Sequence, residues 1–147
     1  MVPNQPASAT GKMARPREFD IDIALERAMH VFWAKGFEAA SLDDLCEATA
    51  LSRSSLYGAF GGKRDLLLRS LERYAERGTA RIAAILAVPP IRDALATLLR
   101  EFIDQIVAGP GRTGCFIGNC AAELGRRDRT VMAHVRRSLA RIEATFE

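Results

Sequence analysis

"SLDDLCEATALSRSSLYGAFGGKRDLL", Ser41 to Leu67, decides how this chain folds. Two short apolar patterns flank a tight corner, "TALS" at 49–52. Ser41 is placed to cap a helix, and Asp43 and Asp44 in its first turn suit the helix dipole. Leu42, Leu45 and Cys46 supply its apolar side. Ser52 caps the next helix, which the pattern carries to about Phe60, where Gly61 and Gly62 break it. At about 100° per residue, Leu56 and Phe60 fall together and mark the inward side. Ser54, Ser55, Tyr57 and Gly58 collect on the opposite side. A solvated helix face ordinarily carries Glu and Lys. This one carries hydroxyls, one aromatic with a polar tip, and residues with almost no side chain.

Such a face suits a duplex groove. Small side chains let a helix lie close to base edges, serine hydroxyls bond bases or phosphates, arginine pairs with guanine, and a tyrosine hydroxyl reaches phosphate. The corner sets the third helix across the second, which is helix-turn-helix geometry. Lys63 and Arg64 then open a long helix, where a helix N-terminus and a cation can meet one phosphate.

Outward from this stretch the pattern is helical throughout. Asp20 caps a first helix with Ile21, Leu25, Ala28, Met29 and Phe32 at three- and four-residue steps, ended by Gly36 with Phe37 folding back. Trp33 and Phe37 read as core of this head. The long helix runs from about Lys63 toward Leu86 and stops at "VPP", 88–90. Ile91 to Ala108 is strongly amphipathic, with Ile91, Leu95, Leu98, Leu99, Phe102, Ile103, Ile106 and Val107 as its apolar residues. "GPGRTG" at 109–114 is a loop, "CFIGNCAAEL" opens another helix, and a last helix carries Val131, Val135, Leu139, Ile142 and Phe146. That stripe meets no capping glycine, so the chain is expected to end inside a helix and to be truncated. "RRDR" at 126–129 reads as a solvated face. No strand alternation and no repeat is present, so the fold class is all-α.

Composition fits a globular chain. Of 147 residues, 48% are hydrophobic and 27% charged, with net charge +3 and pI near 9.0. Residues 1–65 hold 8 basic against 9 acidic residues, and residues 66–147 hold 13 against 9. The polyanion-binding half is therefore not globally basic. It has two local patches: Lys12, Arg15 and Arg17, then Arg53, Lys63 and Arg64. No apolar run reaches the ~18 residues of a membrane span, and no signal peptide precedes the first helix. Three cysteines with no export signal fit a reduced, cytoplasmic setting. Residues 1–12 read as a disordered leader, with Met13 a possible start.

The same stretch resembles the DNA-binding signature of the TetR/AcrR family of bacterial regulators, from about Arg17 to Tyr74. The most specific part is "LSRSSLYGAF" followed by "GKRDLL", and "AKGFEAASLDDL" fits the preceding junction. The resemblance implies a three-helix helix-turn-helix head (17–64) after a leader and basic arm (1–16). A long helix would join it to an incomplete α-helical effector-binding and dimerisation body (65–147). It implies DNA contacts at Arg15 and Arg17 in the arm, at Ser41, Arg53, Ser54 and Ser55, at Tyr57 and Gly58, and at Lys63. Two departures stand out. Gly58 and Ala59 occupy positions where the family often has His and Tyr, and Gly61–Gly62 replaces a Pro–Ser before the lysine. The family pairs subunits through its last two helices, of which this chain holds little or none.

"GCFIGNCAAEL" resembles a segment of one branch of the family's bodies. It makes Cys115, Phe116, Asn119, Cys120 and Glu123, with Phe102, candidates for an effector pocket. Cys115 and Cys120 would lie about 140° apart on one helix, which does not suit a shared metal. Buried structural thiols and a thiol sensor are both open readings of them. The function expected is a repressor that leaves a palindromic operator when a small-molecule effector binds its homodimer. The alternative is a regulator sensing oxidants or electrophiles through Cys115 or Cys120. Neither reading calls for a cofactor, a metal, a membrane or a catalytic constellation.

Overall fold

The computed structural model describes residues 20–107 and 114–147. Seven helices and no strand are present among them: α1 (Ile21–Lys35), α2 (Leu42–Thr49), α3 (Arg53–Phe60), α4 (Lys63–Leu86), α5 (Ile91–Val107), α6 (Phe116–Leu124) and α7 (Arg129–Glu143). The arm residues Arg15 and Arg17, the leader and most of the 109–114 loop lie outside the described residues.

Local chemistry sets the boundaries. Asp20 Oδ1 accepts from the backbone N–H groups of Asp22 (2.9 Å) and Ile23 (3.3 Å), satisfying donors that the first turn of α1 leaves open. Ser41 and Asp44 form a reciprocal capping box on α2: Asp44 N donates to Ser41 Oγ at 3.0 Å and Ser41 N to Asp44 Oδ2 at 2.9 Å. Ala50, at φ 57°, carries the chain into the corner, and Ser52 Oγ accepts from Ser55 N at 3.1 Å to start α3.

Packing then orders the helices. Ala24, Leu25, Ala28, Met29 and Phe32 of α1, Leu45 of α2, and Leu56 and Phe60 of α3 are buried together. Leu66, Leu67, Leu71 and Ala75 of α4 join the same cluster, and so do Phe116, Ile117, Cys120 and Leu124 of α6 and Val131 and Val135 of α7. Burying one such leucine removes enough apolar surface from water to contribute about 1.5–3 kcal/mol. The α4 helix, 24 residues and so about 36 Å long, is the common wall. It packs on α1, α3, α5, α6 and α7.

One expectation needs correcting, and one apolar face is left open. The last helix stops at Glu143, four residues before the end of the chain, and Leu139 and Phe146 are exposed. Val131, Val135, Ser138 and Ile142 share one narrow arc of the wheel. Leu139 falls roughly 80° from Val131, so the buried stripe passes through Ser138 instead. The apolar stripe of α5 is also mostly uncovered. Only Ala94 and Leu98 are buried, while Leu99 and Val107 are each 64% exposed and Ile103 is 57% exposed. This helix packs chiefly on α4, so one neighbour covers one edge of a wide apolar face.

Candidate nucleic-acid interface and adjoining cavity

The corner presents α3 outward as its sequence pattern requires. Leu56 is fully buried and Phe60 nearly so, while Arg53, Ser54, Ser55, Tyr57 and Gly58 are exposed. The hydroxyls are clustered: Ser52 Oγ donates to Ser55 Oγ at 2.9 Å and lies 3.0 Å from Ser54 Oγ. A β-carbon added to Gly58 would meet nothing within 4 Å, so the helix backbone is bare there. Ser41 is exposed at the start of α2, its Oγ engaged by the Asp44 N–H.

Arg53 is held rather than loose. Its Nη2 lies 2.7 Å and its Nε 3.3 Å from Asp43 Oδ1, across the corner on α2. Both side chains are mostly exposed (62% and 78%), so solvent screens the pair and Arg53 can exchange Asp43 for another anion. Lys63 sits with Nζ 4.5 Å from the Phe37 ring centroid and donates to the Glu38 carbonyl at 3.5 Å. Gly62, ahead of it, offers α4 no side-chain cap, and the Tyr57 ring lies against Gly62. Tyr57 and Lys63 thus flank the N-terminus of α4, the tyrosine ring beside Gly62 and the lysine ammonium over the α1–α2 loop.

Arg64, which belongs with Arg53 and Lys63 to the second basic patch, is committed elsewhere. It forms a two-pronged pair with Asp128, both N–O distances 2.6 Å. Asp128 also caps α7 by accepting from Thr130 N (2.9 Å) and Val131 N (3.0 Å). The stretch read as a solvated face therefore contains a structural anchor. An Asp three residues before the first buried valine is an N-cap signal legible in the sequence.

The Arg64 bond holds the Asp128 carboxyl well below its ordinary range. Asp44, bonded first by Lys35 and then by the backbone and hydroxyl of Ser41, is lowered to about 2. A carboxyl depressed on folding contributes stability that is complete above its unfolded value and is lost as pH falls through the folded one. The loss therefore begins below about pH 4. Asp128→Asn keeps a capping oxygen but drops the charge. At pH 6 it is expected to melt about 2–4 °C lower, the size of a 1 kcal/mol change in a chain of this length. That gap should shrink when melting is followed from pH 5 to pH 2.5.

Glu123 marks a larger departure. Its Oε2 accepts from Phe37 N at 2.9 Å and its Oε1 from Glu38 N at 2.8 Å, so α6 clasps the α1–α2 loop. Gly36 makes room: its φ is +80°, and a β-carbon there would stand 2.9 Å from Glu123 Oε2. Glu123 is thus a tie between body and head. The donors lie 86 and 85 residues away in the chain, so no local pattern could have revealed the contact.

A cavity of about 500 Å³ opens between α1, α4 and α5. Of the residues proposed for a pocket, Phe102 and Cys115 line it. Phe116 is fully buried just behind, its ring 6.1 Å from Trp33 and 5.7 Å from Tyr74. Asn119 is exposed, Cys120 is buried in the core, and Glu123 is turned to the head, so these three do not line it. Trp33, read as head core, packs against the core and also lines the cavity, donating from Nε1 to the Gly114 carbonyl at 3.1 Å. A second depression, of about 530 Å³ and bordered by Lys35 and Glu47, lies wide open on the outer side of α1 and α2.

The thiols divide by environment. Burial, chiefly, pushes Cys120 up to about 12, which leaves it protonated and unreactive. Cys115 is exposed at the head of α6. Iodoacetamide is expected to label Cys115 in the folded protein and Cys120 only after unfolding, read by mass spectrometry of tryptic peptides. Among the described residues no group of three or more His, Cys, Asp or Glu could hold a metal ion, and no helix is long and apolar enough to cross a membrane.

Residues 24–69 match the pattern described as bacterial regulatory proteins, tetR family. The chain is 31% identical over 135 residues to the uncharacterized HTH-type transcriptional regulator YezE of Bacillus subtilis (strain 168), covering 91% of this chain and 70% of that one. It is 38% identical over 109 residues to the HTH-type transcriptional repressor ComR of Escherichia coli (strain K12), covering 72% of this chain and 52% of that one. This chain thus spans about half the length of ComR. Among solved structures it is similar to a cysteine mutant of the TetR family transcriptional regulator CifR complexed with 26-bp double-strand operator DNA. That match has 34% identity and TM-score 0.65, covering 89% of this chain and 75% of the other. The reduced form of E. coli NemR, at 17% identity and TM-score 0.74 over 84% of this chain and 65% of that one, shares the fold.

Proposed function

The chain belongs to the TetR family of bacterial transcriptional regulators and is a DNA-binding protein of helix-turn-helix type, and from that premise we propose that it represses transcription from a near-palindromic operator. The observation that carries the reading is the bare face of α3. Arg53, Ser54, Ser55 and Gly58 are turned outward at a helix whose inward residues, Leu56 and Phe60, belong to the core.

In this reading the N-terminal turns of α3 enter the major groove, where Arg53 exchanges Asp43 for a guanine edge or a phosphate. Tyr57, Lys63 and the open N-terminus of α4 take one backbone phosphate between them. Ser41 supplies a hydroxyl beside the backbone. Arg15 and Arg17, outside the described residues, add an arm to the adjacent groove. Two copies of the chain present their α3 helices about 34 Å apart, one turn of the duplex, which makes the operator an inverted repeat.

Release follows from a small molecule that prefers a head spacing DNA does not. The ligand shifts the population only by as much as its affinities for the two spacings differ. Selecting genomic fragments on the purified protein and sequencing the bound DNA tests the proposal. One inverted-repeat sequence is expected, and it should disappear when Tyr57→Ala protein is used at the same salt concentration. A well-folded protein that enriches no sequence would refute it.

A further inference from the structure

We propose that the cavity between α1, α4 and α5 binds an uncharged, flat aromatic molecule whose occupancy acts directly on the DNA-binding head. The proposal rests on the preceding reading, that a small molecule governs DNA affinity, and adds where it sits and what it is.

At about 500 Å³ the space falls in the range of small-ligand sites and is large enough for two fused rings. Its walls are aromatic and apolar: Met29 and Trp33 from α1, Tyr74 and Ile82 from α4, Phe102 from α5, and Ile142 from α7. Trp33 and Tyr74 already stand edge to face, with centroids 5.2 Å apart, so a flat ring finds both a face and an edge to pack on. The four charged groups at the mouth are paired two by two. Arg77 holds Glu26 at 2.5 Å, and Arg81 grips Glu101 at 2.7 and 2.8 Å. An ion entering here meets carboxylates and guanidiniums that already hold one another, and beside them only the His30 ring, stacked on Trp33 with centroids 6.2 Å apart. Polar orientation comes instead from neutral groups: the Tyr74 hydroxyl, which accepts from Gln105 Nε2 at 3.4 Å, and the Cys115 thiol beside it.

Gly78 is an independent pointer. It lies in the middle of α4, where glycine costs a helix about 1 kcal/mol relative to alanine. A β-carbon there would meet nothing within 4 Å, so no packing demands the glycine. It lines the cavity, and its missing side chain keeps that space open.

The cavity is not confined to the body. Its α1 wall belongs to the head, and Trp33 is bonded to Gly114 just before α6. A ring inserted against Trp33 changes the seating of α1 on α4, and α1 carries the head's core residues Leu25, Ala28 and Phe32.

Isothermal titration of the full chain with 2-naphthol, 2-naphthoate and 2-naphthylmethylammonium at neutral pH compares one ring system in three charge states. The neutral probe is expected to bind at least about tenfold more tightly than either ion, because the apolar walls desolvate an ion while the carboxylates and guanidiniums at the mouth are already paired with one another. Gly78→Phe, which fills open space and favours the helix, is expected to abolish that binding with helix content retained. Phe102→Ala, at a half-exposed position, should weaken it several-fold. Equal or tighter binding of either ion, no binding of 2-naphthol, or full binding by both variants would overturn the site and its ligand class. With the operator in hand, 2-naphthol should also weaken DNA binding by wild type and leave Gly78→Phe on DNA unaffected. Binding that leaves operator affinity unchanged would retain the ligand class and overturn the action on the head.

Discussion

Arg53→Ala is expected to weaken operator binding by roughly 5- to 150-fold, the ~1–3 kcal/mol carried by a two-pronged arginine–guanine contact, and to relax discrimination at one base pair. Lys63→Ala should behave differently. It weakens specific and non-specific DNA alike and lowers the salt dependence by about one counterion, as loss of a phosphate contact does. The contrast separates the two roles, since both residues are basic and both lie at the same edge of the head. Asp43 supplies an internal control. It holds Arg53 at 2.7 Å in the DNA-free chain, so Asp43→Asn releases the arginine and removes a negative charge from the binding face. Non-specific affinity should rise. Fluorescence anisotropy on operator and scrambled duplexes at several salt concentrations measures all three variants. If Arg53→Ala binds both duplexes as wild type does, α3 does not enter the groove by its first turn.

The second large effect is on stability. Phe116 is fully buried at the start of α6, against the rings of both Trp33 and Tyr74. Phe116→Ala removes a ring that three elements share, and such truncations cost about 3–5 kcal/mol. At about 2–4 °C per kcal/mol, the melting temperature should fall by roughly 6–20 °C. Trp33 is the single tryptophan, so its emission should shift to the red in the folded variant as water reaches the indole. Urea titration followed by Trp33 fluorescence gives both readings. A loss under about 1 kcal/mol would mean that the site collapses around the missing ring.

How much of this was legible in the sequence depends on how far apart the partners lie along the chain. The caps at Asp20, Ser41 and Ser52 and the stop at Gly36 were legible because each joins residues two to four positions apart. The outward face of α3 was legible for the same reason: Leu56 and Phe60 are one turn apart and fix every other direction. Glu123 was not, because its partners are backbone N–H groups on a distant loop and any carboxylate at that spacing looks the same. Trp33 was legible as a residue packed on the core, but not the reach of its indole across to Gly114, 81 residues away. Along α5 the amphipathic pattern reported an apolar face correctly but could not report that one neighbour covers only its edge.

The clasp of Glu123 on the Phe37 and Glu38 amides has a consequence for engineering. Heads of such regulators invite exchange as cassettes, to point one body at a new promoter. A chimaera joined between Arg64 and Asp65 would cut through a single apolar cluster, and it would separate Glu123 from the glycine that admits it and Asp128 from its arginine. Transplanting the head therefore demands that the graft bring its own Gly36 equivalent and a guanidinium at position 64, or that α6 be carried along with it.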